Sequence, residues 1–191
     1  DGSWNISGGW APILGTSMAS RSLDNARQKG VKVDERVVAR VDDYTKNAQK
    51  AQAEGGGGGT GRTRGSFGGV AASASPVAVY ADAQALEQLS RTEKDRQANA
   101  PTIRAIQGKL RDQSYVDGFG SMGGEEFFSY LNISESLRRA GGAPWNEWNG
   151  NIRKKLVALQ NNDGTWVGHH CITGRVAVTG AAMLTLMADT N

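Results

Sequence analysis

His169-His170-Cys171 places the chain's only two histidines beside its only cysteine. Imidazole nitrogen and thiolate sulfur are the usual ligands of zinc. At a helix N-terminus the dipole would also lower the thiol pKa and make Cys171 a better nucleophile. Three consecutive side chains rarely all face one ion, so such a site needs further ligands. Glu125 and Glu126, at the start of another predicted helix, are candidates for the same rim. The competing reading buries Cys171 as a small hydrophobe and bonds both imidazoles to nearby backbone. The sequence favours that reading, with no cofactor expected and zinc as the alternative. Arg175 falls one turn into an otherwise apolar helix. A charge there needs a partner, and Glu125, Glu126 or Glu135 would serve. The alternative is an anion anchor in a cavity.

These residues follow a turn that must position them: Gln160-Asn161-Asn162-Asp163-Gly164-Thr165-Trp166. Asn-Asp-Gly supplies side chains that bond their own backbone and a residue that tolerates positive φ. A helix stops there, and the tryptophan can fold back over its end, burying the ring. A second copy, Asp1-Gly2-Ser3-Trp4, stands at the start of the chain without the glutamine. Two copies of one turn suggest a repeat architecture.

Gln160, Gly164 and Trp166 match the glutamine and Gly-x-Trp of the prenyltransferase/squalene-cyclase repeat, and the chain resembles uncharacterised bacterial proteins carrying that repeat. The resemblance implies an α/α toroid, with inner and outer helices alternating around a central cavity. Residues 166–187 look like the family's turn leading into an inner helix. The middle of the chain matches in helical rhythm only. The family's enzymatic signatures are missing. Asp42-Asp43 is the only aspartate pair, and it lacks the pattern around the acid of the cyclases, so it reads as two solvated carboxylates. The aspartate, cysteine and distant histidine that hold zinc in the prenyltransferases are not spaced that way here. The thioester motif of complement-like toroids is absent. No residue is therefore assigned as catalytic.

The helical rhythm gives about seven helices and no strand. Small and apolar residues over 10–29 form a first inner helix. Asp34 caps an outer helix whose stripe is Val37, Val38, Val41, Tyr44 and Ala48. Residues 54–69, with five consecutive glycines, break the pattern and read as a flexible insertion. Residues 76–96 resume a small-residue helix, and Pro101 opens the next one. A glycine-rich, aromatic loop is expected over 115–124. Helices follow over 125–139, 145–159 and 173–188. The whole reads as one all-α domain over 1–191, a toroid-like arc of helical hairpins. About three and a half hairpins leave the arc open, so upstream sequence or a partner chain is expected to cover its apolar ends. The first residue already lies inside a motif, which puts the true N-terminus elsewhere.

A net charge of +3 is too small to argue for nucleic acid, and no apolar run reaches a membrane span. The Arg62/Arg64 pair is too small to make a nucleic-acid arm. Asn132-Ile133-Ser134 fits a glycosylation sequon but lies within a predicted helix. Trp4, Trp148 and Trp166 read as packing residues rather than a carbocation or sugar pocket. The similar bacterial proteins point to the cell envelope or a secreted location. The expectation is a non-catalytic scaffold or protein-interaction domain, an accessory subunit of a larger assembly. The alternative is a cavity-based enzyme, or a hydrophobic-ligand or metal binder, of the prenyltransferase/squalene-cyclase type.

Overall fold

A computed structural model of the chain describes residues 2–4, 12–54, 75–117, 123–170 and 172–190. Among these residues the protein is all-helical, with nine helices and no strand. They are α1 (Pro12–Gln28), α2 (Glu35–Glu54), α3 (Ser75–Leu89), α4 (Glu93–Ala98), α5 (Ala100–Lys109), α6 (Gln113–Val116), α7 (Gly124–Ala140), α8 (Gly142–Ala158) and α9 (Arg175–Leu186). The glycine-rich insertion, with Arg62 and Arg64, lies outside the described residues, as do Trp10 and Cys171.

Local chemistry sets the helix ends. Asp34 begins α2 as expected, accepting the Arg36 backbone N–H at 2.9 Å. Pro101 sits in the first turn of α5. The expected helix over 76–96 is divided. Thr92 and Asp95 form a reciprocal capping box that starts α4, and the chain turns at Ser90–Thr92 instead of continuing. The expected loop after residue 115 is helical at its start. Asp112 accepts the Ser114 N–H at 2.9 Å and caps the short α6. These two breaks account for nine helices in place of seven.

The helices stack in two layers. One row runs α1, α3, α7, α9, each packed on the next. The other holds α2 against α1 and α3, α5 against α3, and α8 against α7 and α9. The main core forms where the layers meet. It includes Leu86, Ile106, Phe127, Tyr130, Ile133, Trp148, Ile152 and Leu156. The Trp148 indole N–H donates to Ser134 Oγ at 2.8 Å, which satisfies the one polar atom of a buried ring.

The side of the row facing away from α5 and α8 is polar. Ser17, Ser20 and Asp24 of α1, Glu87 and Gln88 of α3, and Asn132 and Ser136 of α7 are all buried. Asn132 Nδ2 donates to Ser17 Oγ at 2.8 Å, and Arg21 pairs with Glu135. These bonds join α1 directly to α7. Short side chains such as Ser17 and Asn132 meet only where backbones approach closely. The interior between α1 and α7 is thus bridged by side chains. The Asn132 sequon is buried within it, with its amide engaged.

Arg91 anchors this seam. Its side chain is 8% exposed and donates to Glu87 at 2.7 and 3.0 Å and to Ser20 Oγ at 2.8 Å. Asp24 lies 3.6 Å away. Removing the guanidinium strands the buried Glu87 carboxylate, while Asp24 keeps Arg27 at 3.1 Å and Gln28 at 2.8 Å, and leaving one buried charge unpaired costs about 3–5 kcal/mol. Arg91→Ala is therefore expected to lower stability by about 3 kcal/mol in urea denaturation, and a change below 1 kcal/mol would contradict the seam's role.

Candidate functional site

The turn after α8 is built as its residues suggest. Gln160 Nε2 donates to Gly164 O at 2.9 Å, and the Asn161 N–H donates to Thr165 O at 2.9 Å. Gly164 takes φ +81°, where a side chain is strained. Trp166 is 3% exposed and its indole N–H donates to Leu156 O, at the end of α8, at 2.8 Å. Its backbone N–H donates to Thr179 Oγ1 at 3.0 Å, and that hydroxyl donates back to Trp166 O at 3.1 Å. The corner thus grips the helix before it through the indole and the helix after it through the backbone.

The first copy repeats half of this arrangement. Gly2 has φ +95°, and the Trp4 N–H donates to Thr16 Oγ1 in α1 at 2.9 Å. Among the described residues no helix stands before Trp4 as α8 stands before Trp166, and Trp4 is 48% exposed. The threonine clamp was not anticipated from sequence. Its signal was present: a threonine follows the tryptophan by 12 residues in one copy and 13 in the other.

Arg175 is exposed and pairs with Asp163, not with an inner-helix carboxylate. It also donates to Thr165 Oγ1 at 3.0 Å. The expectation of a partner on α7 fails because the guanidinium lies on the first turn of α9, facing the corner before it. Asp163 Oδ1 accepts the Thr165 hydroxyl at 2.6 Å and its N–H at 3.1 Å. Those bonds, and then Arg175, hold the Asp163 carboxyl below the usual carboxylate range.

Beyond the corner, residues 167–170 and 172–174 cross the N-terminus of α7. A Cβ on Gly168 would lie 2.4 Å from the Gly124 backbone nitrogen, so the two segments touch backbone to backbone. This contact brings His170 to Glu125. A methyl group on Gly123 would stand 2.5 Å from Glu125 Oε2 and 2.8 Å from His170 Nδ1. Glu125 is 2% exposed, and among the described residues neither of its carboxylate oxygens has a hydrogen-bond partner. Glu126 is fully buried and accepts the Tyr80 hydroxyl at 2.8 Å. Burial, and then the charge of Glu126, push the Tyr80 phenol far above its ordinary pKa, so it remains a donor. His169 is exposed. Of the expected shared rim, the structure brings Glu125 beside His170, while Glu126 turns to Tyr80 and Cys171 lies outside the described residues.

A groove of about 270 Å³ opens elsewhere, between α5 and α8, with Leu110, Pro144 and Trp148 in its lining and Arg111 tied to Glu147 at 3.2 Å. It lies in the outer layer and not between the inner helices. No family model, curated protein or solved structure matches the chain.

The two corners predict different costs. Trp166→Ala removes a buried ring and its hydrogen bond to Leu156 O, with an expected loss of about 3–5 kcal/mol. Trp4→Ala is expected to cost less than about 1 kcal/mol, because half the ring is already in water. Thermal and urea unfolding of both variants checks this. Asp163 adds a pH dependence. Its carboxyl pKa is lowered in the folded protein, so its contribution is fully present above about pH 4 and is lost as pH falls through the folded value. The protection of the Thr165 and Trp166 amides from exchange, relative to an unstructured chain, is expected to hold from neutral pH to about 4 and to fall as pH drops further through the lowered Asp163 value. Asp163→Asn should abolish that acid-dependent step.

Proposed function

We propose that this chain is a non-catalytic helical-repeat domain that acts as a scaffold for another protein, built on the prenyltransferase/squalene-cyclase type of repeat. The observation that carries the reading is the exposed apolar stripe on the last helix of the inner row. Val176 is 89% exposed, Met183 50%, Leu184 48% and Met187 45%. Steps of seven, eight and eleven residues from Val176 put all four on one face of α9. Apolar faces of this kind mark interaction sites, and flexible methionines suit a surface that must adapt to a partner.

Two further features support it. The Trp4 corner repeats the Trp166 corner with its ring half open, so the stack offers a second edge where a helix would pack. The bridged interior between α1 and α7 weighs for packing rather than for a ligand chamber. Among the described residues no helix is long and apolar enough to cross a membrane.

Native mass spectrometry and sedimentation test the reading. A stable assembly with a protein partner is expected, weakened at least about tenfold by Val176→Glu with Met183→Glu, a loss of 1.4 kcal/mol or more. A monomer at high micromolar concentration, with solubility indifferent to those two changes, would count against it.

A further inference from the structure

We propose that the groove between α5 and α8 binds a small organic monoanion, one carboxylate on a short apolar body such as a single ring or a chain of a few carbons. The inference is independent of the scaffold reading, which rests on α9, and three observations carry it. The first is shape. α5 packs on α3, and α8 packs on α7 and α9, which leaves about 270 Å³ between these two outer helices. Small-molecule sites run from about 300 to 1,000 Å³, so the occupant is smaller than a drug-sized ligand. Leu110, Leu137, Pro144 and Trp148 give it an apolar lining. The second is charge. Arg104 lines the groove, and among the described residues it forms no ion pair. Arg111 pairs with Glu147 at 3.2 Å. Two guanidinium groups thus share one carboxylate, a surplus of one positive charge. Gln107 on α5 and Asn151 on α8 also line the groove, with side-chain amides that bond to nothing among the described residues.

The third is Gly108, in the last turn of α5 and in the groove wall. Glycine at a helix end usually serves a positive φ, and Gly108 does not have one. A Cβ there would meet nothing within 4 Å, so no neighbour in the fold demands the glycine either. Alanine would hold the helix better. What the missing side chain leaves is room in the groove. Steps of three, four and seven residues put Arg104, Gln107, Gly108 and Arg111 on one face of α5. The open space and the unused donors therefore share that face. A guanidinium takes a carboxylate through two parallel N–H···O bonds, and the lining beside it accepts the apolar body.

The test titrates the full chain with hexanoate and with phenylacetate, read by the NMR signals of the Arg104 Nε–H and the Trp148 indole N–H. Acetate carries the charge without the body, and phenylacetamide the body without the charge. Saturable shifts of both signals are expected below about 10 mM for hexanoate or phenylacetate, with acetate and phenylacetamide at least about fivefold weaker. Arg104→Gln is expected to weaken binding at least about fivefold. Gly108→Leu should abolish it and yet melt no lower than the wild type, which separates a filled groove from a damaged fold. No saturation in that range, equal binding of phenylacetamide, or an unchanged affinity in both variants would overturn the assignment. Saturation by a diglutamyl peptide with no response to either carboxylate would overturn it too, and would give the groove to an acidic protein segment.

Discussion

Burial of the Trp166 ring at the junction of α8 and α9 is the contact on which the C-terminal half of the molecule depends. The indole closes the end of α8 through Leu156 O, and the same residue's backbone is clamped to Thr179 in α9. One side chain therefore fixes the angle between an outer helix and the inner helix that follows. Everything downstream inherits that angle. It seats α9 against α7, lays Gly168 and Ile172 across the N-terminus of α7, and brings His170 beside Glu125. The cost of a positive φ at Gly164 is avoided by glycine, and the loop's carbonyls and amides are satisfied within the turn.

The interior has two characters. Where the layers meet, burial of aliphatic and aromatic side chains supplies the driving force for folding. Along the opposite side of the inner row, polar and charged groups are packed almost as deeply. Each such group must find a partner, since an unpaired buried one is expensive. Arg91, Glu87, Asp24 and Ser20 meet that requirement with one another, and Gln88 joins them through its Nε2 on Ser20. This arrangement is directional in a way that apolar packing is not. It specifies which helix faces which, and it joins α1 to α7 across the row. Among the described residues the Glu125 carboxylate, Gln88 Oε1 and Asn149 Oδ1 depart from the pattern.

The corner and the helical pattern were legible in the sequence because they are local. Asn-Asp-Gly stops a helix through its own backbone, Asp34 caps α2 within two residues, and apolar periodicity marks the faces of α5 and α8. The break at Thr92 was missed, although its capping box lies within four residues, because the apolar rhythm reads through it. Arg175 was assigned to the wrong partner. Its helical position was right, but the choice between an inner carboxylate and Asp163 depends on how the corner folds back.

The sequence by itself determined the all-α class, most helix boundaries and the two glycine–tryptophan corners, since each follows from interactions within a turn or two of chain. The tertiary structure alone decided that α1 reaches α7, that Arg91 is buried among carboxylates, and that His170 lies beside Glu125 while His169 points to water. Apart from the Arg91–Glu87 pair, four positions apart, those outcomes turn on contacts between residues 45 to 115 positions apart. Periodicity gives the face a helix buries, and only the packed stack gives the neighbour it meets.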